Sequence, residues 1–222
     1  MKKFCFLLLI ATLLFSCKQG GQQNKKNDDK PVITVTIEPL RYFTEAIAGD
    51  RFTVVSMVPK GTSPETYDPT PQQLVELARS KAYFRIGYIG FEQTWTDKLT
   101  DNAPHLQFFD MSQGVDLIYD NTHVHHHAAN EKEHQHAIGV EPHIWNSAVN
   151  AQIIAGNILN ALRNIDKGNE DFYLERYNTL CRKIEHTDSL IRQTLATPGA
   201  DHAFMIYHPA LSYFARDYGL HQ

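Results

Sequence analysis

The stretch Val32-Ile-Thr-Val-Thr-Ile37-Glu-Pro39-Leu-Arg-Tyr-Phe-Thr-Glu-Ala-Ile-Ala48-Gly49-Asp-Arg-Phe52-Thr-Val-Val-Ser-Met57 decides the fold. Val32 to Ile37 is β-branched without interruption, as expected of a strand buried on both faces. Pro39 then suits the first turn of a helix running through Ala48, and Gly49 stops it. Phe52 to Met57 repeats the strand pattern. A strand, a helix and a second apolar strand indicate a parallel sheet covered on both sides, the α/β class.

Outward from this unit the alternation continues. Pro59 to Pro71 is a loop rich in Gly, Ser, Thr and Pro, and Gln72 to Ser80 reads as helix, with Leu74, Leu77 and Ala78 on one face. Ala82 to Ile86 is a third strand, ended by Gly87 and Gly90. Phe91 to Leu99 reads as helix and Gln107 to Asp110 as a short strand. Then the period changes. Ser147 caps a helix through Asp166, Gly168 breaks it, and Asn169 caps a long helix from Glu170 to Leu195. Phe172, Leu174, Tyr177, Leu180, Ile184, Leu190 and Ile191 lie roughly at helical spacing along it, with Cys181 on the same core-facing side. After Pro198-Gly199, Ala203 to Tyr207 reads as another buried strand and Pro209 to Asp217 as a helix. One βα unit cannot bury its own sheet faces, so the chain reads as cut short after Gln222. The expected organisation is a first α/β lobe over 31–146, a helical connector over 147–198 and the start of an incomplete second lobe over 199–222.

The first residues address the chain to the cell envelope. Met1-Lys2-Lys3 is a basic n-region, and Phe4 to Phe15 is an apolar run too short to span a bilayer. It ends at Leu14-Phe15-Ser16-Cys17, which resembles a bacterial lipoprotein signal spanning 1–16, cleaved before Cys17 with lipid on its thiol. Residues 17–30 have no apolar anchor and read as a tether. Cleavage and lipidation leave Cys181 as the only free thiol, which speaks against an internal disulfide and a thiolate metal cage. The formal charge of −4 becomes −6 when Lys2 and Lys3 leave. An acidic surface gives no reason to expect nucleic acid.

Chemistry concentrates in two kinds of place. Seven of the 12 histidines fall between positions 123 and 143. His123, His125, His126, His127, His134 and His136 sit in a polar loop, 121–139, where no core could satisfy so many ring nitrogens. Imidazole suits Zn, Cu, Ni and Fe, so weak, multiple metal contact is the expectation for this loop. Separately, Glu65 follows the second strand, His143 precedes a helix, and His208 follows the strand Ala203 to Tyr207. Each is a ligand-capable side chain beside a proline, at the strand ends where an open α/β sheet gathers its ligands.

Three motifs, Ser63-Pro-Glu-Thr-Tyr67-Asp-Pro69, Glu141-Pro-His-Ile-Trp145 and Tyr207-His-Pro-Ala-Leu-Ser-Tyr213-Phe-Ala-Arg-Asp-Tyr-Gly219-Leu220, resemble the metal-binding receptors of zinc and manganese ABC importers, and are closest to the zinc-uptake type. The resemblance covers Val32 to Leu220. It implies two α/β lobes joined by one long rigid helix, with metal in the cleft between them. It makes His143 and His208 the second and third ligands. Glu65 stands where the family usually has a histidine, which makes the site harder and one negative charge richer. The resemblance also implies a fourth, acidic ligand beyond the position of Gln222. The implied role is capture of a divalent cation, Zn2+ first and Mn2+ second, by a lipid-anchored monomer in the periplasm, for delivery to an ABC permease in the inner membrane. Two other roles remain open: a secreted metal buffer or adhesin acting through the histidine loop, and a zinc-dependent hydrolase, for which no His-Glu-x-x-His helix appears. If the chain ends at Gln222, zinc should bind mainly at the loop, since the cleft would lack a ligand and a wall.

Glu65, His143 and His208 are therefore expected about 2 Å from a shared ion. Cys17 should be the mature N-terminus and carry lipid. Mass spectrometry of the protein from membranes should find a diacylated or triacylated Cys17, and an unmodified Cys17 would refute the assignment.

Overall fold

In the computed structural model, residues 30–119 and 139–222 are described. Cys17 and the histidines from His123 to His136 lie outside them. The first unit forms as its sequence dictates. Strand β1 (Val32–Val35) leads into helix α1 (Glu38–Ala48), with proline in its first turn, and strand β2 (Thr53–Ser56) follows. Gly49 ends α1 at φ 60°, and a Cβ there would fall 2.8 Å from the Arg176 guanidinium and 2.9 Å from the Phe172 ring. Only glycine tolerates both that backbone and that approach.

Helix α2 (Pro71–Leu77), strand β3 (Ala82–Arg85), helix α3 (Gly90–Asn102) and strand β4 (Gln107–Asp110) complete a four-stranded sheet of order β2-β1-β3-β4. All three pairings are parallel, with Val35 opposite Phe84 and Phe84 opposite Phe109. Ile33, Val35, Tyr83 and Phe84 have no solvent exposure, as the unbroken apolar strands require. Because every strand runs the same way, the loops after β1, β2 and β3 leave from one edge.

Helix α4 (Ala148–Ile165) covers one face. Ala151, Ile154, Ala155, Ile158, Leu159 and Leu162 recur at three- and four-residue steps and are all buried. The Ser147 hydroxyl accepts from Asn150 N, the expected N-cap. Helix α5 (Glu170–Leu195) packs along α4 and α1 and matches the expected long helix end for end. At 26 residues it is about 39 Å long.

Four local expectations are corrected. Asn169 does not cap α5: its side-chain amide donates to the Asp166 carboxylate. The buried face of α5 runs through Tyr173, Leu180 and Ile184, while Leu174 and Leu190 are exposed. The hydroxyl of Tyr173 donates to Asp166, which lets this aromatic enter the core with its polar end satisfied. The last helix, α6 (Ser212–Tyr218), begins three residues later than expected, at a turn after Pro209. Finally, Ala203 to Tyr207 is not a buried strand. One parallel bridge, Ala203 to His221, is its only sheet contact among the described residues, and Met205 and Tyr207 are fully exposed. A strand needs a neighbour to satisfy its backbone, and beyond the single bridge to His221 none lies beside this segment among the described residues.

These burial assignments separate two substitutions. Ile158→Ala, in the fully buried stripe of α4, should cost about 2–5 kcal/mol. Leu190→Ala should fall within about 0.5 kcal/mol of the parent, because the side chain is already in solvent. Urea unfolding followed by circular dichroism measures both, and equal losses would place Leu190 in the core.

Candidate metal centre

The edge formed by the carboxyl ends of the strands is built from three loops. The β2–α2 loop carries Glu65 and is held at several points. Gln73 donates to Met57 O (2.9 Å) and accepts from the Tyr67 hydroxyl (2.6 Å), and Thr70 with Gln73 forms a capping box at the start of α2. Trp95 Nε1 donates to Asp68 (3.1 Å). Phe91 N donates to Pro64 O and Gly90 N to Glu65 Oε2, both at 3.0 Å. Glu65 itself is exposed.

The segment before α4 carries His143, which is only 9% exposed. Its Nδ1 meets Glu141 Oε1, and its backbone N–H donates to the same oxygen at 3.0 Å. A carboxylate accepts but does not donate, so Nδ1 bears the ring proton and Nε2 presents a lone pair. Glu141 is fixed in turn, its backbone N–H donating to Ile118 O (2.9 Å) and its carbonyl accepting from the Tyr213 hydroxyl (2.8 Å). Tyr213 also accepts from Ile118 N (3.1 Å). It has no solvent exposure, and burial pushes its phenol above the ordinary range. One side chain of α6 thus joins the chain entering and leaving the segment 119–140.

His208 reaches the same place from the turn before α6. Its Nε2 lies 3.0 Å from His143 Nε2, with the rings 4.9 Å apart and nearly perpendicular. The turn is anchored by the Asn146 side chain, which donates to Ala210 O (2.8 Å), and by Ser147, whose hydroxyl meets Asp217. Trp145 packs its ring 5.1 Å from that of His143 and covers one side. Two nitrogens held about 2.0 Å from one tetrahedral ion would be about 3.3 Å apart. The two Nε2 atoms are therefore already close to the bite a metal needs. In this conformation they share a proton, His208 donating.

Of the three side chains expected to meet, the structure brings together His143 and His208. Glu65 stands apart, with Oε2 on the Gly90 amide at the start of α3, where a carboxylate is favoured by free N–H groups. Among the described residues no three His, Cys, Asp or Glu side chains are gathered to hold a metal ion. Sequence reasoning overlooked Glu141 as the partner of His143. Its signal was present: an acid two residues before the histidine across a proline, within reach of its own neighbour's ring.

Set beside known proteins, the chain falls in a class of solute-binding receptors rather than enzymes. It belongs to the family described as zinc-uptake complex component A, periplasmic, whose model matches residues 33–222. The high-affinity zinc uptake system protein ZnuA of Bacillus subtilis is 29% identical over 98% of this chain and 67% of its own length. The manganese ABC transporter substrate-binding lipoprotein PsaA of Streptococcus pneumoniae is 30% identical over 99% of this chain and 70% of its own. A crystal structure of a ZnuA deletion mutant with zinc bound superposes with a TM-score of 0.76 at 34% identity, covering 87% of this chain and 69% of that one.

If Glu141 holds the imidazole, Glu141→Ala should weaken Zn2+ binding by roughly 10–100-fold, with little change in melting temperature. Glu141→Gln keeps an acceptor oxygen and should recover most of the affinity. Competition against a chromophoric chelator measures both, and an unchanged affinity in Glu141→Ala would show that the ring needs no support.

Proposed function

We propose that this chain is the extracytoplasmic substrate-binding component of a metal-ion ABC importer, and that its cargo is a divalent transition metal held between His143 and His208. The observation that carries this reading is the facing pair of Nε2 atoms, one ring fixed by Glu141 and both at the strand-end edge. Relatives named for zinc and for manganese, together with an iron ABC transporter substrate-binding lipoprotein of Streptococcus pyogenes at 28% identity, match nearly the whole of this chain over about two thirds of their own length. Imidazole in place of thiolate or all-oxygen ligands favours zinc first and manganese second.

Glu65 completes the set by leaving the Gly90 amide, a side-chain movement at an exposed position. Oxygen at this position makes the site harder than an all-imidazole one and brings a charge that partly neutralises the cation. The histidines from His123 to His136 add weaker sites that collect metal. The organisation that fits is a first lobe over 31–146, a connector over 147–198 and the opening of a second lobe at 199, with lipid on Cys17 anchoring a monomer at the envelope membrane. Delivery to a permease follows from the class. The chain's part is to replace the water shell of the ion with fixed ligands and to release it when those ligands separate.

The decisive experiment is zinc titration in competition with a chelator at neutral pH and again near pH 5. One tight site is expected, weakened at the lower pH because protons compete for the ligands. His143→Ala and His208→Ala should each remove it, whereas substituting any one histidine of the 123–136 loop should not, because the loop offers substitutes. Retention of the tight site in His143→Ala would overturn the proposal.

A further inference from the structure

Glu92 is the one acidic side chain among the described residues that is fully buried, at 1% exposure, and nothing in the ligand set uses it. It lies in the first turn of α3, beneath the strand-end edge. Its Oε1 accepts from the Thr36 hydroxyl and from Ile86 N (2.8 Å), and its Oε2 accepts from Gly87 N. Thr36 is itself held by the Tyr83 hydroxyl at 2.6 Å. Burial pushes the Glu92 carboxyl above the ordinary range, while these donors pull it back down. A carboxyl buried at such cost, with each oxygen occupied by donors, is fixing the groups that donate to it.

Two of those groups, the amides of Ile86 and Gly87, belong to the turn between β3 and α3. The same turn is the platform on which the Glu65 loop rests. Gly90 N donates to Glu65 Oε2 and Phe91 N to Pro64 O, and the Tyr67 ring lies 5.8 Å from that of Phe91. The fit is close: a Cβ on Gly90 would sit 2.5 Å from Glu65 O and 2.8 Å from its Oε2. The chain of contacts runs unbroken from Glu92 to the backbone of the turn and then to the main chain and carboxylate of Glu65.

We propose that Glu92 is a positioning residue for Glu65, setting through the Ile86–Gly90 turn where that carboxylate stands when metal arrives. The inference rests on the reading of Glu65 as a ligand. Glutamine is the discriminating substitution. It has the same shape, but its NH2 must face either Ile86 N–H or Gly87 N–H, donor against donor, so the turn shifts while the packing volume is kept.

The test is a double-mutant cycle on zinc affinity, read by chelator competition on the full chain, with melting temperatures beside it. Glu92→Gln should weaken binding at least about tenfold in the parent, and less than about twofold in a Glu65→Ala background, where there is no carboxylate left to misplace. Gly90→Ala, which displaces the Glu65 loop without entering the core, should follow the same pattern, and it decides the matter if Glu92→Gln does not fold. Parent-like affinity in folded Glu92→Gln, or a full additional loss in the Glu65→Ala background, would overturn this inference alone. Parent-like affinity in Glu65→Ala by itself would overturn the ligand reading, and the inference with it.

Discussion

Parallel strands that all point one way leave their crossover loops at a single edge, and the backbone donors and acceptors exposed there must find partners. This constraint organises the molecule. Adjacent loops satisfy one another in place of further strand: Thr36 after β1 meets Glu92, Glu92 takes the amides of Ile86 and Gly87 that follow β3, and the amides of Gly90 and Phe91, further along the same turn, hold the loop that follows β2. Met57 and Val58, just past β2, still donate to Val35 and Thr36 carbonyls. These loops are therefore held in place for a reason that has nothing to do with metal. They close the hydrogen bonding of the sheet.

The imidazole pair is fixed by a different economy. His143 lies on a short turn between Pro142 and the Ser147 cap, so α4 sets its place, and α4 is secured by its buried stripe of Ile154, Ile158 and Leu162. His208 belongs to a turn with no sheet around it, and its position depends on α6. That helix is tied at both ends. Tyr213 and Asp217 reach the His143 segment, while Tyr218 donates to Asp188 on α5 (2.7 Å) with the Arg192 guanidinium over its ring. The Arg192 pairing holds the Asp188 carboxyl below its usual range, so the junction stays charged and hydrogen-bonded at neutral pH. Two residues 65 positions apart thus meet because α6 is bracketed between the His143 segment and α5.

Most of the architecture was legible in the sequence, because its signals are local. Strands without polar interruption, Pro39 and Gly49 at the ends of α1, and the Ser147 cap each act within one or two turns of chain. The misreadings share a cause. Leu174 and Leu190 match the apolar period of α5, but a helix this long presents only part of its stripe to α4 and α1, and which part is a tertiary fact. Tyr173 lies outside that period and enters the core because Asp166 satisfies its hydroxyl. Ala203 to Tyr207 has the composition of a strand, yet composition cannot supply the neighbour a strand pairs with. In the site, His143 and His208 were readable from proline-flanked motifs. The parking of Glu65 on Gly90 was not, since it links residues 25 apart through an amide that carries no side-chain signature. Glu92 was hidden for a similar reason: an acid in the first turn of a helix ordinarily points to solvent.

Both tryptophans of the chain stand beside residues of this edge. Trp145 stands against His143, and Trp95 is bonded to Asp68 three residues past Glu65, with the Lys98 ammonium 4.6 Å from its ring. No other indole lies in these 222 residues. Its intrinsic fluorescence is in consequence a local signal, one fluorophore reporting on the imidazole pair and the other on the acidic loop. The spectrum of the native chain is a two-point optical record of the cleft, needing no attached dye.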